Sequence, residues 1–233
     1  MNDLEKFVEQ MKDVFKENLE SVVLYGSQAG NEASVKHSDH NILLVLKEIR
    51  FDDMKASNKA IAAWVKNGNP APLLFTGEIL KESVDIFPVE FFDIKDSYKL
   101  LFGDDLVAGL EINNTHLRHE LEFELKGKLI KLRQGYMMFS DNSKKIQELL
   151  IGSISTFLTL FKHTIRLFGQ VPPKKKVDAL EPLSQKTGIN KQVFLNVFNM
   201  KLGDKAALNF DAEQVMKEYV AEIEKVIKIV NNI

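Results

Sequence analysis

Asp39, Asn41 and Glu90 are the residues of this sequence whose types and positions best suit metal-assisted chemistry. Asp39 and Asn41 stand two apart at the start of the apolar run 42–46, which has the composition of a buried strand. Residues two apart share one face of a strand, so both side chains are predicted to point one way and His40 the other. Two carboxylates so placed can hold divalent cations that bridge nucleotide phosphates. Asn41 offers only a neutral carbonyl oxygen. The alternative is a polar turn that caps a strand edge.

Gly26 and Ser27 form a second candidate site, directly after the apolar run 22–25. A glycine after a strand usually marks a turn that needs positive φ or has no room for a side chain. The functional interpretation is a backbone that a phosphate can approach, with the Ser27 hydroxyl and the following amides as donors. A short helix is expected over residues 27–33.

Glu90 lies in residues 87–94, whose apolar composition predicts a third strand. An acid in a buried strand is costly unless it is paired, hydrogen-bonded or metal-bound, which makes Glu90 a candidate catalytic carboxylate. The alternative is the exposed face of an edge strand. Asp93 would face the other way on that strand, and we expect it to cap a helix predicted at 95–102.

The fold class predicted is a two-domain α+β protein. A small mixed sheet flanked by helices fills residues 1–112, and an all-α antiparallel bundle fills 113–233. In the first part, helices are predicted at 3–17, 51–66 and 76–84 and strands at 21–25 and 40–47. In the second part, helices are predicted at 115–139, 143–167, 177–186, 191–199 and 212–231.

The helical half carries weaker functional signals. Arg118 begins the first long helix and could reach a phosphate at the predicted domain junction; a salt-bridged, solvated first turn is the alternative. The basic run 174–176 predicts a solvated helix start, with an RNA contact as the alternative. The apolar stripe in 149–161 fits either a bundle core or a homodimer interface, between which periodicity does not choose.

The totals exclude several classes of protein. The net charge is −2, from 31 Lys and Arg and 33 Asp and Glu, so no global field attracts nucleic acid or an anionic membrane. The chain has no cysteine, which excludes disulfides and thiolate metal sites and fits a cytoplasmic protein. No apolar stretch reaches the ~18 residues of a membrane span, and the acidic, amphipathic start does not predict a signal peptide.

A strand ending in Gly-Ser, about a dozen residues, and then Ser-Asp-x-Asn before a second strand resembles a known signature. It is that of the DNA polymerase β-like nucleotidyltransferase superfamily, and the appended helices are similar to the kanamycin-type members. The resemblance implies that Gly26 and Ser27 cradle the phosphates of a nucleoside triphosphate. It also implies that Asp39 holds Mg²⁺ and that Glu90 supplies the third acid. Asn41 stands where the family has its second acid.

Two functions follow from this resemblance. One is Mg²⁺-dependent transfer of a nucleotide from a triphosphate to a hydroxyl on a small-molecule or protein acceptor. The other is a degenerate member that keeps the fold as a nucleotide-binding or protein-interaction module. A third interpretation, in which the helical half serves a partner as in two-component toxin systems, fits less well with one chain carrying both halves.

Overall fold

The computed structural model describes residues 2–26, 28–29 and 39–233. The contacts between residues divide the chain into two compact units, and the division falls between Asn113 and Asn114. Among the described residues, no helix combines the length and the apolar character needed to cross a membrane.

The first unit contains a four-stranded mixed sheet with helices on both faces. Its elements in chain order are α1 (Asp3–Phe15), β1 (Leu19–Tyr25), β2 (Asn41–Leu46), α2 (Phe51–Lys66), β3 (Leu73–Thr76), α3 (Gly77–Glu82), α4 (Pro88–Asp96) and β4 (Tyr98–Gly103), with a 3-10 turn at Lys16–Asn18. The strand order is β3-β2-β1-β4. β1 is antiparallel to β2 and β4, whereas β2 and β3 are parallel. The predicted small mixed sheet is confirmed.

Each face of this sheet has its own hydrophobic layer. On one face, α1 and α2 cover the even-numbered side chains of β1 and β2, and the Phe7 and Trp64 rings stack with centroids 4.3 Å apart. On the other face, α3 and α4 contribute Leu80, Phe91 and Ile94 to a layer over the odd-numbered side chains. Beyond the irregular pairing between Leu19 and Ser21, alternate residues of β1 and β2 face opposite ways, so parity there decides which layer a side chain joins.

Two predicted elements are exchanged in type. Residues 87–94 were expected to form a strand, yet they belong to helix α4, in which Pro88 occupies the first turn. Proline is favoured there because its missing N–H would be unpaired anyway. Residues 95–102 were expected to form a helix, yet β4 occupies Tyr98–Gly103 and pairs with β1. Asp93 consequently lies inside α4 and does not cap a following helix.

The second unit is all-α, as predicted. Its helices are α5 (Asn114–Phe139), α6 (Ser143–Leu167), α7 (Leu180–Thr187), α8 (Lys191–Lys201), α9 (Lys205–Leu208) and α10 (Ala212–Asn231), with a 3-10 turn at Lys176–Ala179. A short turn joins α5 to α6, and Gly135 of α5 packs against the Leu149 side chain of α6. The predicted break at 141–143 therefore makes α5 and α6 antiparallel.

The apolar stripe of α6 forms the core of this helical bundle. Phe157 and Phe161 are fully buried. The Phe157 ring meets that of Tyr219 with centroids 5.8 Å apart, and the Phe161 ring meets that of Phe194 with centroids 4.9 Å apart. Edge-to-face aromatic pairs of this kind each add about 0.5–1.5 kcal/mol beyond the area that they bury. The bundle interpretation of the stripe is therefore the correct one for α6.

Candidate functional site

Gly26 directly follows β1 and adopts a backbone conformation that would be strained in a residue with a side chain. Its φ is +81°, and a Cβ built on it would lie 3.1 Å from Nδ2 of Asn41. Its carbonyl accepts hydrogen bonds from the Ala29 N–H at 3.0 Å and from Oγ of Ser97 at 3.1 Å. Its N–H donates to the Ser97 carbonyl at 2.9 Å. The turn is thus tied to the start of β4. Ser27, its predicted partner in phosphate binding, lies outside the described residues.

Asn41 is the first residue of β2 and lies directly opposite Tyr25 in the β1–β2 register. Its parity places it on the sheet face that α3 and α4 cover, beside Gly26. Asp39 precedes the strand and is exposed. Of the described residues at the start of β2, Asp39 therefore supplies one carboxylate and Asn41 one amide.

His40 points to the opposite sheet face. Its N–H donates to Oδ1 of Asn69 at 3.0 Å, and its ring Nδ1 lies 3.3 Å from the same oxygen. The ring centroid is 5.9 Å from that of Trp64. These contacts fix the backbone between Asp39 and Asn41 and hold His40 away from the site.

Glu90 is exposed in the first turn of α4. It is close enough to Tyr25 to act on its phenol: burial raises the pKa of Tyr25 to about 12, and the negative charge of Glu90 contributes to the increase. Tyr25 pairs with Asn41, so Glu90 acts on a residue at the end of the sheet that carries Asn41 and Gly26. Its position on a helix differs from the strand position predicted.

The donor set suits one Mg²⁺ shared with phosphates better than a two-cation site. Among the residues that the structure describes, no three His, Asp or Glu side chains cluster in a way that could hold a metal. Mg²⁺ is usually bound through one or two carboxylates together with substrate phosphates and water. Asp39 and the amide oxygen of Asn41 can supply such a site. A second cation would lack the charge that a second β2 carboxylate provides.

Arg118 lies in the second unit, on the first turns of α5. Its Nη1 donates to Oε2 of Glu122 at 3.0 Å, and its Nη2 lies 3.2 Å from Nδ1 of His119. Lys126 also bonds to Glu122, and this bond is the main reason that the pKa of Glu122 is lowered. The salt-bridged arrangement of the alternative interpretation is present at Arg118, so any phosphate would compete with Glu122 for its guanidinium.

Two residues beside this site carry little or no signal in the sequence. Ser97 bonds to Gly26 from 71 positions away, and nothing local signals that pairing. Tyr25 has a weak signal, because it is the last residue of an apolar run directly before the Gly26 turn. Its parity with Val23 could have placed it on the same face as Asn41.

Comparison with known proteins supports the fold class. No protein-family model matches the sequence, and no curated protein matches it either. The structure is similar to that of the spectinomycin adenyltransferase AAD(9) from Enterococcus faecialis, solved with ATP and spectinomycin, with a TM-score of 0.58 and 14% sequence identity. The match covers 95% of this chain and 98% of that chain. This chain therefore has a nucleotidyltransferase-like fold followed by a helical region.

Proposed function

We propose that this chain is a nucleotide-binding protein of the nucleotidyltransferase fold whose transfer activity is weak or lost because Asn41 replaces an acid. The observation that carries the proposal is the arrangement at the mouth of β1 and β2. There, Gly26 has no side chain, Asn41 lies against it, and Asp39 is the one carboxylate of the described β2 region. A triphosphate needs close approach to the backbone and a bound cation. Gly26 allows the close approach, whereas one carboxylate and one amide provide only part of the ligands and charge that a cation site needs.

In this proposal residues 1–112 bind the nucleotide and residues 113–233 bind the acceptor or a partner. Gly26 and Ser27 contact the phosphates, and Asp39 with the Asn41 amide oxygen orients a single Mg²⁺ on them. Each bound cation brings a charge of +2 that the site must offset. The loss of one negative charge therefore weakens the binding of a second cation most. The phosphate contact predicted for Arg118 stays a prediction from the sequence. The absence of cysteine fits a reducing compartment, the cytoplasm.

Nucleotide titration tests this proposal. We expect ATP, GTP, CTP or UTP to bind in calorimetry, with only a modest gain on adding Mg²⁺. Asn41→Asp restores a carboxylate and should tighten Mg²⁺-dependent binding about tenfold or more, and Asp39→Asn should remove the Mg²⁺ effect. Absence of binding for all four nucleotides, with and without Mg²⁺, would overturn the proposal and leave a protein-interaction module.

A second candidate is a working enzyme that transfers a nucleotide to a hydroxyl of a small molecule. It is favoured by the extent of the structural likeness, which includes almost the whole of a protein solved with both ATP and spectinomycin. Glu90 would then accept the proton of the attacking hydroxyl, since it is an exposed carboxylate that acts on Tyr25, the strand partner of Asn41. Incorporation of labelled nucleotide into an acceptor by the natural sequence, lost in Glu90→Gln, would establish this function in place of the first.

A further inference from the structure

Helix α5 is apolar on two opposite faces, of which the bundle covers only one. The inner face is buried and consists of Leu117, Leu121, Leu125, Leu129 and Leu132. The other face exposes 74% of Phe123, 54% of Ile130 and 79% of Met137. We call these three residues the outer stripe. A helix that is apolar on both sides is normally covered on both sides.

The outer stripe has the spacing of a helix–helix seam. Its residues are seven positions apart, so they lie along one line of the helix at intervals of two turns. Gly127 lies between Phe123 and Ile130, and a Cβ built on it would meet no atom within 4 Å. The backbone of α5 is therefore open there to close approach by another helix.

The stripe is also self-complementary. Ile130 is its midpoint, with one large apolar side chain seven residues before it and another seven residues after it. A two-fold axis through Ile130 would bring an antiparallel copy of α5 into register, because a two-fold interface pairs residue i with j and j with i. Phe123 would then contact Met137 of the partner subunit, a favourable pairing of an aromatic ring with sulfur.

We propose that the outer stripe of α5 is a homodimer interface, formed by antiparallel packing of α5 against the same helix of a second copy of this chain. The nearby cations do not oppose it strongly, because three of them are paired within their own chain. Lys126 bonds to Glu122, Lys128 lies 3.1 Å from Glu124, and Arg133 bonds to Glu224. The interface is thus apolar at its centre and close to neutral at its margins.

The exposed area indicates how strong this dimer is. Met138 extends the stripe and is 74% exposed. Together, the four side chains present roughly 500 Å² of apolar surface per copy, the upper part of the range that monomers expose. Burial of the patch on both copies removes about 1,000 Å², which is at the low end of specific interfaces. Interfaces of this size are weak, so the dimer is expected to dissociate at micromolar concentrations.

Sedimentation equilibrium of the full chain, from about 1 μM to about 500 μM, tests the proposal. The mass should rise from monomer towards dimer. Ile130→Glu places two like charges on the axis and should keep the chain monomeric throughout, with an unchanged circular dichroism spectrum. The matched control is Val171→Glu, because Val171 is 93% exposed and lies outside every helix. The Val171→Glu variant should dimerise as the natural chain does. A natural chain that stays monomeric, or a dimer that persists in Ile130→Glu, would refute the interface.

Cysteine cross-linking tests the antiparallel register independently. The chain has no native cysteine, so single substitutions report on one position each. Ile130→Cys should form a symmetric disulfide, and a mixture of Phe123→Cys and Met137→Cys proteins should form the mixed one, because a disulfide needs Cα atoms within about 7 Å. A Phe123→Cys protein that preferentially cross-links to itself would indicate parallel packing and overturn the proposed geometry.

Discussion

Substitution of Gly26 by alanine separates backbone strain from damage to the proposed nucleotide site. Gly26 has φ of +81°, and a non-glycine residue in the left-handed region costs roughly 1–2 kcal/mol. The new methyl group would also lie 3.1 Å from Nδ2 of Asn41, so that side chain must move by a few tenths of an ångström. This adjustment involves the end of a side chain, and we expect it to add less than about 1 kcal/mol to the loss of stability.

Gly68→Ala is the matched control for Gly26→Ala. Gly68 has φ of +92° and no atom within 4 Å of a built Cβ, so its substitution causes backbone strain alone. In urea unfolding followed by circular dichroism, we expect Gly68→Ala to lose about 1–2 kcal/mol and Gly26→Ala to lose the same or up to about 1 kcal/mol more. In nucleotide titration, only Gly26→Ala should lose affinity, by about tenfold or more, because its methyl group blocks close approach of a phosphate. Equal affinity of the natural chain and Gly26→Ala, or an equal loss in Gly68→Ala, would refute the reasoning.

Three further predictions concern the sheet and the bundle. The pKa of Tyr25 is about 12 against an ordinary 10.0, so its contribution to stability is fully present below pH 10 and is lost as the pH rises through 12. Glu90→Gln should lower the pKa of Tyr25 in a phenolate absorbance titration. An unchanged pKa would show that the two groups do not interact. Gly103→Ala should unfold the first unit or destabilise it by several kcal/mol in urea. The φ of Gly103 is +79°, and a Cβ at this position would lie 1.8 Å from a carbonyl oxygen of β1. A stability like that of Gly68→Ala would contradict this close approach. Tyr219→Phe should cost about 1 kcal/mol of unfolding free energy, because it removes a buried hydroxyl 3.2 Å from Oγ of Ser153 while the ring packing remains. No loss in Tyr219→Phe would argue against that hydrogen bond. The same loss on adding Tyr219→Phe to a Ser153→Ala variant would also argue against it.

The elements that the sequence predicted well carry their own periodic signal. Phe7, Met11 and Phe15 recur at four-residue intervals, and all three are buried in α1. The same is true of the α6 stripe, where periodicity located the helix. Whether that stripe closed a bundle or a dimer depended on the neighbouring helices, which periodicity does not describe.

The exchange of α4 and β4 has a tertiary cause. The aromatic residues of 87–94 favour a strand by composition, but Pro88, Phe91 and Ile94 are buried at three-residue intervals, a helical spacing. The segment Tyr98–Gly103 is a strand because β1 offers an unpaired edge to it. Strand pairing of this kind joins residues that are far apart in sequence, so neither strand carries a local pattern that predicts it.

The candidate site was predictable only where its signal was local. Gly26, Asp39 and Asn41 were selected from motif order, and parity correctly separated His40 from its neighbours. Ser97 could not be identified, because its role depends on the register of β4 against β1. Glu90 was selected because it is an acid among apolar residues, a criterion that does not depend on whether the segment is a strand or a helix.

The contact between His40 and Trp64 gives the protein an intrinsic optical probe. Trp64 is the one tryptophan of the chain, and it is 3% exposed. His40, whose ring lies near the indole, occupies the backbone position between Asp39 and Asn41. A ligand that shifts either of these residues must move the imidazole next to the indole. Occupancy of the site should therefore be readable in the emission of the natural chain, without any attached dye.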